Sequence, residues 1–269
     1  MIIDCHCHAG KGDGLTGPWD TDASLNNYLK WADESCITKT VLFAAFNSNY
    51  SRANAEVSRI VNANPGRFYG FAFVNAAKDA GNIFSMVKTA VLHYGFCGIK
   101  VHRYDARITR EVCQVAGHFK LPVLYDVMGE VSQVELIAKE YPKVNFIIPH
   151  LSSFADDWKA QVAFISPLER YPNIYTDLSG VRRQDLVEEA YQRAGASKIL
   201  FGSDGPWIHP GVELMKVYAL HLTEEERKKI LYQNFLKLVT SIHAKNFFYA
   251  RQLQATANGT APRIRGYFQ

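Results

Sequence analysis

Eight short runs rich in β-branched and aromatic residues recur about every 25–30 residues, with longer amphipathic stretches between them. The runs are Ile2–Cys7, Thr40–Ala45, Phe68–Val74, Cys97–His102, Pro122–Asp126, Asn145–Pro149, Asn173–Asp177 and Ile199–Gly202. Helices are predicted over Leu25–Ser35, Arg52–Asn62, Ala80–His93, Thr109–Phe119, Val131–Glu140, Asp156–Arg170 and Arg183–Ala194. Stripes such as Ile83, Val87, Ala90 and Val91 place apolar side chains on one helical face. Several runs, Asn145-Phe-Ile-Ile-Pro149 among them, are almost wholly apolar, the pattern of parallel strands covered on both sides. Eight strands alternating with helices is the count for an α/β chain folded as a (β/α)8 TIM barrel. An open doubly wound sheet usually has fewer strands and carries a glycine-rich phosphate turn after its first strand, which is missing here.

The barrel is predicted as one domain over residues 1–239, followed by an extension at 240–269. Charge draws the same boundary. The formal net charge of +4 is carried by Lys245, Arg251, Arg263 and Arg265 in an extension without Asp or Glu, so residues 1–239 are balanced. A balanced body without interleaved aromatic and basic residues argues against a nucleic-acid partner. The extension also holds Phe247, Phe248, Tyr249, Tyr267 and Phe268, which predicts packing on the barrel or on a neighbouring subunit of a homo-oligomer. A hydrophobic share of 48% excludes a wholly disordered chain. No apolar run approaches the roughly 18–20 residues of a membrane span, so no membrane partner is expected. The first residues lack the basic and apolar regions of a signal peptide, and five cysteines are an odd number for a disulfide framework. A cytoplasmic location is the expectation.

The densest chemistry is Ile3-Asp-Cys-His-Cys-His8 on the first strand. A strand period of two puts Asp4, His6 and His8 on one face, and two imidazoles at i and i+2 can converge on one metal ion. An isolated His-x-His is more often an ordinary polar strand end. Position changes that, because barrel active sites form at the C-terminal ends of strands. Other strand ends supply Lys100 and His102, Asp126, His150 and Asp204. Each alone has a structural explanation, a helix cap or a hydrogen-bonded loop histidine. Together they are hard to explain by structure, since burying ionisable groups unpaired is costly. A nitrogen and carboxylate donor set suits a divalent metal, Zn2+ first, with Mn2+ or Fe2+ as alternatives.

The ordered segments Ile3-Asp-Cys-His-Cys-His8, Gly98-Ile-Lys-Val-His102, Leu121-Pro-Val-Leu124, Ile148-Pro-His-Leu151, Tyr175-Thr-Asp-Leu-Ser-Gly180 and Leu200-Phe-Gly-Ser-Asp-Gly-Pro206 resemble the amidohydrolase superfamily, in particular its amidohydrolase-2 family of TIM-barrel metal-dependent hydrolases and decarboxylases. The resemblance spans about residues 2–239. It implies that His6 and His8 ligate the metal. Asp204 is implied as a ligand or as the base for a water, and His150 as a ligand or an acid/base. Relatives commonly carry histidine at the fifth strand end, where this chain has Asp126, so Asp126 and His102 enter as alternative ligands. Lys100 occupies a place comparable to the carboxylated lysine of binuclear amidohydrolases, but pairing with a carboxylate or holding a substrate is the favoured expectation.

A bound divalent ion would lower the pKa of water to about 7 and polarise a carbonyl. The resemblance thus implies hydrolysis of an amide, lactone or related bond in a small carboxylate-bearing substrate. Arg103, Arg182 and Arg183 are candidates to hold that carboxylate, and Tyr125 and Trp207 to wall the pocket. Non-oxidative decarboxylation on the same barrel and ligand binding without turnover remain open alternatives.

Overall fold

The eight apolar runs pair side by side. In chain order the elements are β1 (Ile3–Lys11), β2 (Asp22–Ala23), α1 (Leu25–Glu34), β3 (Lys39–Ala44), α2 (Tyr50–Ala63), β4 (Phe68–Phe73), α3 (Ile83–His93), β5 (Gly98–His102), α4 (Arg110–Phe119), β6 (Val123–Asp126), α5 (Val131–Glu140), β7 (Phe146–Ile148), α6 (Trp158–Arg170), β8 (Ile174–Asp177), α7 (Gln184–Ala194), β9 (Ile199–Leu200), α8 (Pro210–Tyr218) and α9 (Glu224–Lys228). This computed structural model describes residues 1–239. The predicted extension at 240–269 lies outside the described residues.

The sheet order is β2-β1-β3-β4-β5-β6-β7-β8-β9. β2 is a short antiparallel partner of β1, and every other neighbouring pair is parallel. The ring closes after β9. The Cys5 N–H donates to the Phe201 carbonyl (2.9 Å), the His8 N–H donates to the Gly205 carbonyl (2.6 Å), and Cys7 bridges Gly205 in parallel register. The result is the expected α/β barrel. Its strands are buried along nearly their whole length because helices cover them outside and side chains fill them inside. Helix starts follow from local chemistry. Asn49 and Asp157 accept backbone N–H groups at the starts of α2 and α6, and Thr223 with Glu226 forms a capping box on α9. No helix among the described residues is long and apolar enough to cross a membrane.

Two local features depart from expectation. The register between β1 and β3 shifts between Asp4 and Cys7, so one extra residue sits on β1. Such a bulge breaks the alternation of faces. Asp4 therefore does not share the face of His6 and His8. Its carboxylate is met by Tyr28 from α1 and by Ser203. The second feature is α8, which the helix pattern omitted. Its Val212, Met215 and Tyr218 are exposed, so it lacks a one-sided apolar stripe.

Candidate active site

The C-terminal ends of the strands surround a cavity of about 470 Å³. His6 and His8 enter it from β1, Lys100 and His102 from β5, Asp126 from β6, His150 from the turn after β7, and Asp204 and Trp207 from the segment after β9. Two of these residues hold backbone conformations that L-residues rarely adopt. His150 has φ of 59° and Asp204 also has φ of 59°. Strain of that kind costs about 1–3 kcal/mol and persists where the surroundings over-determine it. Close approach helps fix the seam. A Cβ on Gly202 would lie 3.0 Å from the Cβ of His6 and 3.0 Å from the carboxyl carbon of Asp177.

The ring nitrogens separate the histidines into two kinds. His6 Nδ1 lies 2.9 Å from Asp177 Oδ2, and His8 Nδ1 lies 3.0 Å from the Ala44 carbonyl. A carbonyl or an ionised carboxylate only accepts, so both Nδ1 atoms carry hydrogen and both Nε2 lone pairs are free in the neutral ring. Those Nε2 atoms converge on Asp204 Oδ1, at 3.3 Å from His6 and 3.6 Å from His8. His6, His8 and Asp204 offer ligand atoms that all lie within 4.8 Å of one another. His102 is the reverse tautomer. Its Nδ1 accepts the Tyr104 N–H (3.0 Å), so Nε2 carries the hydrogen and donates it to Asp126 Oδ2 (3.1 Å). His102 thus meets Asp126 as a hydrogen-bond donor, with no ring lone pair free for an ion.

His150 belongs between these kinds. Its Nδ1 donates to the Ser179 carbonyl (2.7 Å), and its Nε2 lies 3.5 Å from Asp126 Oδ2. Burial opposes charge on this ring, but the Asp126 carboxylate beside it, with Asp204 and Asp177 further off, lifts its pKa to about 9. Burial likewise opposes charge on Asp126, yet His102 and His150 hold its carboxyl well below the usual range. Asp126 Oδ1 also accepts the Met128 N–H (2.9 Å). Burial and the nearby Lys100 push His6 and His8 down, which keeps both rings neutral and able to ligate. His6, His150 and Asp177 also cluster closely. There Asp177 Oδ2 meets Nδ1 of His6, while Nδ1 of His150 is held by Ser179, so this cluster is a hydrogen-bonded support behind the rings.

Sequence reasoning named six candidate ligands, and the structure brings all six to one cavity, with different partners. Of the candidate substrate residues, Lys100 and Trp207 join them there and the others do not. Tyr125 is buried on the opposite face of β6 from Asp126, where its hydroxyl donates to Gln133 (2.7 Å), as strand alternation requires. Arg103 pairs with Glu130 at 2.8 Å, Arg182 with Asp156 at 2.6 Å, and Arg183 with Asp185, all away from the cavity lining. Carboxylates claim these guanidinium groups, distant in sequence for Arg103 and Arg182 and two residues away for Arg183. Trp207 does line the cavity, with its ring 4.5 Å from that of His8. Lys100 lines it too, fully buried, with an Nζ that meets no acceptor. Asp177 was missed as a site residue. Its place at the end of β8 is the signal that picked out the others.

Residues 3–239 match the amidohydrolase-2 family model. The chain belongs to the amidohydrolase-2 family. Solved structures share its fold at low identity. A TIM-barrel protein from Bordetella bronchiseptica has a TM-score of 0.70 at 16% identity, covering 90% of this chain and 99% of that one. A dihydroxybenzoic acid decarboxylase from Polaromonas sp. JS666 with bound manganese has a TM-score of 0.68 at 17% identity, over 92% and 99%. A probable 2-pyrone-4,6-dicarboxylic acid hydrolase from Acinetobacter baumannii has a TM-score of 0.70 at 17% identity, over 89% and 99%. No curated protein matches the chain.

Proposed function

We propose that this family member is a metal-dependent hydrolase that attacks an amide, lactone or related bond in a small carboxylate-bearing molecule. The observation that carries the reading is the convergence of the His6 and His8 Nε2 atoms on Asp204, each ring fixed by an acceptor at Nδ1. Three protein donors of this type suit a catalytic zinc site, which keeps a further position open. Manganese and iron fit the same donors. When bound, a divalent ion supplies Lewis acidity and brings the ionisation of water near neutrality.

The chain's own residues do the rest. Asp177 and the Ala44 carbonyl hold the two imidazoles in the ligating tautomer. Asp204 accepts the proton of the attacking water. His150, oriented by the Ser179 carbonyl and Asp126, donates a proton to the leaving group. His102 holds Asp126 in place for that task. Trp207 and Phe46 narrow the cavity on the His8 side and exclude bulk water.

Decarboxylation is the second reading, favoured by the decarboxylases among the fold neighbours. On that path His150 would protonate carbon instead of a leaving group. A panel of small carboxylic acids, amides and lactones separates the two. Net acid release without carbon dioxide is expected, and carbon dioxide release would install the lyase. The metal is tested on its own. Protein purified without chelator should hold about one equivalent of divalent metal per chain. His6→Ala with His8→Ala should abolish that binding while the circular dichroism spectrum stays folded. Stoichiometric metal in the double variant would overturn the ligand assignment.

A further inference from the structure

Lys100 has no task in that chemistry, yet it stands in the cavity at a cost. Its side chain is completely buried, its Nζ has no hydrogen-bond partner within the chain, and the centre of the Phe43 ring lies 4.8 Å from Nζ. Burying an ammonium group without an acceptor is expensive, and native proteins rarely leave one so. The carboxylates of Asp126, Asp204 and Asp177 act on it only through space. An acceptor brought into the cavity by a ligand would remove that cost.

The rest of the cavity restricts what that acceptor belongs to. Among the described residues lining it, Lys100 is the one lysine or arginine. The arginines nearest in sequence, Arg103 and Arg107, are both claimed by Glu130. Aromatic rings flank the row of histidines on both sides. Trp207 lies against His8, and Phe154 lies edge-on to His150 with ring centres 5.2 Å apart. Phe154 is 47% exposed, so its ring offers an apolar face at the mouth.

We propose that Lys100 seats one carboxylate of the ligand, and that the cavity thereby selects monocarboxylates with a flat apolar body over neutral and dianionic analogues. The proposal rests on the reading of this cavity as the reaction site. It adds to that reading a protein cation for the carboxylate. The reacting bond, not the carboxylate, then occupies the His6–His8–Asp204 position.

The test uses benzoate, benzamide and phthalate as probes, with binding to the full chain followed by calorimetry. Each is measured with manganese present and again after chelation with EDTA. Benzoate should bind about tenfold or more tightly than benzamide, as a charge-assisted hydrogen bond requires, and more tightly than phthalate. Lys100→Met should remove that preference in both metal states. The same variant should raise the melting temperature of the ligand-free protein, because it deletes an unpaired buried amine. Equal binding of benzoate and benzamide by the unmodified protein would overturn the proposal without any variant. So would benzoate binding that survives Lys100→Met but vanishes with EDTA, which would put the carboxylate on the metal. Failure to hold metal, with the Lys100-dependent preference intact, would instead defeat the hydrolase reading and leave this inference standing.

Discussion

Asp4 and Asp177 are both completely buried at the barrel seam, yet the surroundings push their carboxyl groups in opposite directions. Asp4, beyond the β1 bulge, accepts from the Tyr28 hydroxyl (2.7 Å), the Ser203 N–H (2.9 Å) and the His6 N–H (3.1 Å). These donors are neutral, and burial outweighs them and raises its pKa to about 7. Burial acts on Asp177 in the same sense. There the His6 ring, with His150 and Ser179, prevails and holds the carboxyl well below its usual range. Asp4 is thus a clamp that holds α1 to the seam, and Asp177 orients the ring of a candidate ligand, His6. Burial alone does not mark function. The partner that the carboxylate orients does.

Removing each carboxylate should break this pair in different observables. Asp4→Ala takes the acceptor from the buried Ser203 N–H and hydroxyl and one of two partners from the Tyr28 hydroxyl, and should cost about 4 kcal/mol in urea unfolding. Metal affinity of the folded fraction should change little. Asp177→Asn should lower metal affinity about 10–100-fold, as loss of an orienting partner does, with a smaller change in stability. Equal effects of both variants on metal affinity would dissolve the distinction.

The pH dependence of stability comes next in size. A carboxyl whose folded pKa lies above its unfolded value of 3.8 binds its proton more tightly in the folded state. The Asp4 penalty is thus absent below pH 3.8, grows as pH rises, and is complete above about 7. The Asp177 contribution has the opposite sign. It is fully present above pH 3.8 and is lost as pH falls toward its depressed folded value. Asp4→Asn should therefore gain on the unmodified protein by on the order of 3 kcal/mol between pH 4 and 8. Parallel stability curves across that range would show that Asp4 stays ionised.

The barrel was legible because buried parallel strands are continuous apolar runs and their helices carry one-sided stripes. The strand-end rule also located the six ligand candidates. What escaped the sequence is geometry that depends on a third element. The bulge that turns Asp4 outward arises from pairing with β3 and the seam. The tautomers of His6, His8 and His102 are set by Asp177, Ala44 and Tyr104. The arginines looked available because Glu130 and Asp156 are neighbours only in the fold.

The smallest predicted effects divide the two sides of the seam most finely, through two glycines three residues apart. A Cβ at Gly205 would lie 2.6 Å from the ring of Tyr28, on the Asp4 side. A Cβ at Gly202 would lie 3.0 Å from His6 and Asp177. Neither glycine has a positive φ, so each substitution acts through space and not through backbone strain. Gly205→Ala should overpack the clamp and cost about 1–2 kcal/mol, read as a lower urea midpoint at unchanged slope. Gly202→Ala needs a shift of only a few tenths of an ångström, and that shift falls on the candidate ligand His6 and its partner Asp177. Its expected signature is weaker metal binding with a nearly unchanged midpoint. If Gly202→Ala lowers the midpoint as much as Gly205→Ala and leaves metal affinity alone, His6 is held more loosely than its hydrogen bond to Asp177 implies.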